Sequence, residues 1–132
     1  MNEEEALIRA FVVSSKHDRM VELLANPKRR RKVTSSLAHF RDLDPRWIVP
    51  VIASKHDPRS VAEALRSRGA NDTCWVISEN SEIDARRLPL LEALEAVIGS
   101  GMGSLLSCAP GALGFFEGEG PSDRCILARR AI

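Results

Sequence analysis

The amino-acid sequence predicts an α/β fold, in which a helical N-terminal third packs on a mixed sheet of about five strands with helices on its faces. Three observations carry this. Apolar residues recur at helical spacing up to about residue 44, and short β-branched apolar runs appear only after Pro45. There a strand, a helix of about three turns and a second strand follow in order, as in a right-handed parallel βαβ unit. At 132 residues the chain has the length of one domain, able to bury roughly two-thirds of its unfolded surface. Residues 1–132 are therefore read as one unit, with 1–44 a helical segment and 45–132 a core of order βαβαβββ.

Asn2 with Glu5 three positions later is a helix-start signature, and Ala6, Leu7, Ala10 and Phe11 share one face behind it, to about Val13. After Ser15, Met20, Leu23 and Leu24 mark a second helix that stops at Asn26 and Pro27. Asn26 and Pro27 suit the cap and first turn of a third helix, with Val33, Leu37 and Phe40 as its buried stripe. Residues 47–53 form a continuous apolar run and read as a buried strand. Asp57 and Pro58 open the next helix, with Val61, Ala64 and Leu65 facing inward and Gly69 at its end. Residues 73–78 are the second strand, expected to lie parallel to the first. Pro89 opens a helix carrying Leu91, Leu94, Val97 and Ile98, and residues 103–108 form the third strand. Pro110 and Gly111 fit a type II turn, after which residues 113–117 and 125–129 form an antiparallel meander.

Composition narrows the function classes. No apolar run approaches the ~20 residues that span a bilayer. Asn2, Glu3, Glu4 and Glu5 carry the wrong charge for a targeting peptide, so a cytoplasmic location is expected. Cys74, Cys108 and Cys125 are an odd, widely spaced set in apolar surroundings, expected to be reduced and buried. Without a C-x-x-C pair, and with His17, His39 and His56 scattered, no metal and no cofactor are expected. The chain lacks tyrosine and holds 5% aromatic residues, which leaves few stacking platforms for single-stranded nucleic acid. Gly99, Gly101 and Gly103 lead out of a helix into a strand, the wrong polarity for a phosphate loop.

Two groups of residues are candidates for a site. In open parallel sheets ligands bind at the carboxyl ends of the strands. Two polar loops are expected at one such edge: Ser54, Lys55, His56 and Asp57 in the first, and Ser78, Glu79, Asn80, Ser81 and Glu82 in the second. Ser54, His56, Asp57, Ser78, Glu79, Asn80 and Glu82 are the ligand-binding candidates. His56 beside a Glu79 or Glu82 carboxylate has the groups of a general base and its orienter, and Cys108 with His56 and Asn80 would imitate a thiol triad. Asp57 as a helix cap and 78–82 as a solvated turn are the plainer readings. The second group is the basic run Lys28, Arg29, Arg30, Arg31 and Lys32, expected to contact an anion or a partner, the chain's own acidic loops included. Five consecutive residues wrap around a helix and form no flat basic face.

The function expected from these features is that of a non-catalytic ligand- or protein-binding domain acting as an accessory or regulatory component. A hydrolase or transferase with its site at the parallel-strand edge is the alternative. A nucleic-acid-associated protein using residues 28–32 is the third reading, disfavoured by a net charge of only +1. Leu113, Phe115 and Phe116 make both faces of one strand apolar, so that strand is expected to be covered by a helix or by a second copy of the chain in a homodimer.

Overall fold

A computed structural model describes residues 2–129; Met1 and residues 130–132 lie outside the described residues. Among the described residues the chain forms five α-helices and one six-stranded sheet. The helices are α1 (Glu3–Phe11), α2 (His17–Ala25), α3 (Arg31–Thr34), α4 (Pro58–Ser67) and α5 (Leu90–Val97). The strands are β1 (Ile48–Pro50), β2 (Thr73–Ser78), β3 (Arg86–Pro89), β4 (Ser104–Ala109), β5 (Leu113–Glu117) and β6 (Cys125–Ala128). Their spatial order is β1-β6-β5-β4-β2-β3, and every neighbouring pair is antiparallel.

The sheet therefore contains none of the parallel βαβαβ pairing expected from the sequence. Two residues' worth of chemistry explains the difference. β3 begins with Arg86 and Arg87, both exposed, and ends in Pro89, so it has no apolar alternation by which to recognise it. This extra strand reverses the chain beside β2, and α5 then delivers β4 to the other side of β2 in the opposite sense. At the far edge, Pro50 ends β1 after three residues, and β1 pairs with the last strand rather than with β2, Ile48 lying opposite Leu127.

Both faces of the sheet are covered. Cys74, Val76, Leu106, Phe115 and Ile126 pack beneath α4 and α5, while Ile77, Leu105, Phe116 and Leu127 pack beneath α1, α2 and the α3 region. This alternation follows from the two-residue period of a strand. Phe115 and Phe116 are both buried, so helices on opposite faces account for the apolar strand that suggested a second copy. No helix among the described residues is long and apolar enough to cross a membrane.

The caps act as their residue types dictate. Asn2 accepts from the Glu5 N–H at 2.8 Å and Asp57 from the Ser60 N–H at 3.0 Å. The third helix is shorter than expected: Ser35 and Ser36 turn their hydroxyls back onto the Arg31 and Val33 carbonyls, and the chain continues as a 3₁₀ turn over Leu37–His39. That turn lies directly on Gly103. A Cβ there would come within 2.2 Å of the Ala38 nitrogen, so only glycine permits the approach.

Arg30 ties this helical layer to the sheet. Its Nε donates to Asp84 Oδ2 at 2.6 Å, Nη1 to Glu4 Oε1 at 2.8 Å and to the Leu24 carbonyl at 3.1 Å, and Nη2 to Glu4 Oε2 and Asp84 Oδ1. Burial opposes the charge, and the hydrogen bonds from Glu4 and Asp84 more than offset it, raising the Arg30 pKa. Glu4 also accepts from Trp75 Nε1 at 2.7 Å, and Asp84 from the Ser78 N–H at 2.9 Å. Lysine offers a point charge in place of this planar set of donors. Arg30→Gln, which removes the cation and leaves the Glu4 and Asp84 carboxylates uncompensated, is expected to cost about 3–5 kcal/mol in urea unfolding, the range for a broken buried ion pair. Lys32→Gln, two residues on and exposed, should stay within about 0.5 kcal/mol of the parent.

All three cysteines are free and buried. Burial pushes the Cys74 and Cys125 thiols up to about 12, and Cys108 well above the ordinary value. Unfolded thiols ionise near about 8.5. Between those values the unfolded state has lost protons that the folded state retains, so stability is full below about pH 8.5 and falls as pH rises toward about 12. The chain has no tyrosine, which leaves lysine as the other side chain titrating in that window. Melting temperature is expected to fall steadily from about pH 8.5 to pH 10.5. Replacing the three cysteines with alanine should lower it at neutral pH but flatten that alkaline slope, and an unchanged slope would assign it to other groups.

Candidate functional site

Because neighbours alternate in direction and three strands intervene, β1 and β2 point the same way. The loops carrying Ser54, His56 and Asp57 and carrying Ser78, Glu79, Asn80 and Glu82 thus leave the same end of the sheet. Their parent strands stand four strand spacings apart, roughly 19 Å. The structure does not join them into one cluster.

Each loop is instead satisfied locally. Ser54 is exposed, and Asp57 caps α4, its carboxyl held below the ordinary range by the Ser60 hydrogen bonds. Ser78 is buried and shares a 2.8 Å hydrogen bond with Ser104, while its oxygen also accepts from the Asn80 N–H at 3.0 Å. Asn80 in turn accepts from the Glu82 N–H at 3.0 Å, which makes 78–82 a side-chain-stabilised turn. The Glu79 N–H bonds the Gly103 carbonyl, and Glu82 is exposed. Cys108 lies four residues along β4 from Ser104, roughly 13 Å away and toward the opposite end of the sheet. A Cys108, His56 and Asn80 triad is therefore ruled out by topology.

His56 has an unforeseen partner. Arg124, at the start of β6, donates Nη1 to His56 Nδ1 at 3.0 Å, and Nε and Nη2 to the Glu117 carboxylate at 2.6 and 2.7 Å. Glu117 Oε2 also accepts from the Gly99 N–H at 3.0 Å, just past α5. Arginine can only donate, so His56 Nδ1 must present its lone pair and a neutral ring carries its proton on Nε2. The Nδ1 lone pair, which a general base would use, is thus occupied by Arg124.

Ser78, Ser104, Glu117 and Arg124 form a row across adjacent strands β2, β4, β5 and β6, all on the α4/α5 face and all buried. The row gathers the start of α4 and the end of α5 onto the sheet. Glu117 and Arg124 are 2% and 5% exposed in their side chains, so both charges are desolvated and depend on each other. The Glu117 hydrogen bonds raise the Arg124 pKa and keep it cationic. Glu117 and Arg124 were missing from the sequence candidates, although the signal was there. Strand period places Glu117 on the same face as Phe115, and a carboxylate on a core face requires a cation, which the next strand supplies.

The basic run divides. Arg30 is spent on Glu4 and Asp84, Arg29 meets Glu22 at 3.3 Å, and Arg31 donates to the Glu79 carbonyl at 3.3 Å. Lys28 and Lys32 are exposed.

Removing one partner of the sheet-end pair should be costly and removing both should not. Glu117→Leu and Arg124→Met are each expected to destabilise by about 3–5 kcal/mol, while the double change that combines them regains most of that loss. Chemical unfolding of the two single variants and the double variant measures the coupling. Equal losses in the single and double variants would show that the pair matters through volume alone. No protein-family model, curated protein or solved structure matches the chain.

Proposed function

We propose that the chain is a non-catalytic binding domain whose β1 edge and α4 together hold a segment of a protein partner. The observation that carries this reading is the position of its exposed apolar residues. Among the described residues the two large exposed hydrophobic side chains are Ile48 and Ile52, at 38% and 70%, and they lie on one short segment. Between that segment and α4 runs a groove of about 390 Å³, walled by Val49, Val51, Ile52 and Ala64. Ile52 opens directly onto that groove, while Ile48, opposite Leu127, lies on the other face of the sheet, and an exposed isoleucine continuous with an apolar groove has the form of an interaction surface.

Backbone chemistry limits how a partner can dock. The Ile48 N–H is bonded to the Pro45 carbonyl, and Pro50 has no N–H. β1 therefore offers a new strand too few donors, and recognition falls to side chains in the groove rather than to strand addition. Lys55 and Arg68 line this groove with one carboxylate, Glu63, which favours an apolar segment carrying acidic residues. A reducing cytoplasmic setting suits three buried thiols. A hydrolase or transferase reading has less support, because His56 is engaged by Arg124.

Peptides selected from a displayed random library and mapped by amide NMR test this. The expected result is apolar, acidic sequences that shift Val49, Ile52, Ser60 and Ala64. Ile52→Asp should weaken them about tenfold or more without lowering the melting temperature. Peptides that map elsewhere, or that bind the variant equally well, would remove the reading.

A further inference from the structure

A second concavity lies across the sheet from the β1 groove, between α2 and the segment that runs from α3 to residue 42. It encloses about 380 Å³. Its floor is apolar, formed by Met20, Leu23, Val33 and Phe40, the first three buried and Phe40 half-buried. Its walls carry Lys16, Arg19, Lys32 and Arg41.

The charges set this concavity apart. Asp42 is the one carboxylate in the lining. Three arginines of the helical layer are paired with carboxylates: Arg9 with Glu5 and Asp18, Arg29 with Glu22, Arg30 with Glu4 and Asp84. Lys16, Arg19 and Lys32 form no ion pair among the described residues, and Arg41 reaches only Asp123, at 4.0 Å. His39 faces Glu119 at 3.3 Å. Lys28 and Arg31 are the other cations of the layer without a carboxylate partner among the described residues, and they are spread along the surface, whereas Lys16, Arg19, Lys32 and Arg41 surround one hollow.

Local helix chemistry sharpens the point. Lys16 occupies the N-cap position of α2 with no side-chain cap, directly after a 3₁₀ turn (Ser14–Lys16) whose Ser14 carbonyl accepts from the His17 N–H, and Arg19 lies in the first turn. Cations there oppose the positive end of the helix dipole, and Ser, Thr, Asp or Asn is the usual cap. Asp18, the one acidic residue of that turn, is engaged by Arg9. Where a sequence breaks its own local rules at one place, a functional demand is the expected reason. An anion in the hollow would relieve both the mutual repulsion and the unfavourable cap.

We infer that the α2–α3 hollow is a binding site for a small organic anion, a phosphate monoester on an apolar or aromatic body. The cations recognise the phosphate by charge-assisted hydrogen bonds, and the floor of Met20, Leu23 and Phe40 takes the apolar part. The combination of rim and floor selects this class over inorganic phosphate, which has no body, and over an uncharged aromatic, which has no charge.

The probes are 1-naphthyl phosphate, inorganic phosphate and 1-naphthol, titrated into the full chain and followed by amide NMR. The expected result is saturable binding of 1-naphthyl phosphate at least about tenfold tighter than of either comparator, with shifts centred on residues 16–23 and 32–42. Arg19→Gln with Lys32→Gln should lower that affinity about tenfold or more. In the absence of any probe, the same variant should melt at or above the parent temperature at low salt, because like charges have been removed. That separates lost recognition from lost folding. Equal binding of naphthol and naphthyl phosphate, undiminished binding by the variant, or shifts outside the hollow would overturn the inference. So would tighter binding of a single-stranded oligonucleotide through the same residues with a steep salt dependence, which would assign the cations to nucleic acid.

Discussion

Arg30 holds the fold's two halves in register. A guanidinium has five N–H groups, and here all five are used, on two carboxylates and one carbonyl from three separate parts of the chain. Glu4 brings α1, Leu24 brings the end of α2, and Asp84 brings the β2–β3 connection. Trp75 and the Ser78 N–H extend the contacts into β2 itself. Hydrophobic burial would keep a helical layer on the sheet in several orientations, since it is non-directional. A planar fork of donors with every position filled admits one orientation. The three helices that flank it are short, four residues in α3, and gain little from helix propensity alone.

A second ionic arrangement does comparable work on the opposite face. Glu117 and Arg124 link β5 to β6, and through Gly99 and His56 they fix the end of α5 and the start of α4. Both faces thus use one hydrogen-bonded arginine to register helices on a sheet. The exposed remainder is correspondingly distinct. The β1–α4 groove is apolar with Ile52 in the open, whereas the α2–α3 hollow is rimmed by four cations with Asp42 as its one carboxylate. The two concavities lie on opposite faces of the sheet and differ in chemistry.

Much of this was legible in the residues, and what was not has definite causes. The caps at Asn2 and Asp57, the strand over residues 73–78, the meander from Leu113 and the buried thiols all follow from local chemistry that the fold preserves. β3 was invisible because an edge strand of Arg86, Arg87, Leu88 and Pro89 carries no apolar period. Missing that one strand reversed the inferred direction of everything after it, and a parallel sheet was expected where every pair is antiparallel. The candidate site suffered in turn. Ser78 and His56 do reach the same end of the sheet, but strand order, which no local pattern encodes, separates them. The partners they do have, Ser104 and Arg124, lie 26 and 68 residues away in the chain.

The pairing of β1 with β6 bears on how the protein is made. Ile48 meets Leu127, so β1 leaves the ribosome long before its only partner strand exists. Roughly 80 residues must follow it, about 4–16 s at ordinary synthesis rates. β6 is also an interior strand, inserted between β1 and β5. Until it emerges, the nascent chain exposes two unfinished strand edges and the apolar faces of Phe115 and Phe116, the surface that holdase chaperones recognise. Contacts between distant parts of a chain form slowly because loop closure costs entropy before pairing repays it. Completion of the sheet therefore comes late in folding, and the blunted donors of Ile48 and Pro50 protect the waiting strand from pairing with a neighbouring nascent chain in the meantime.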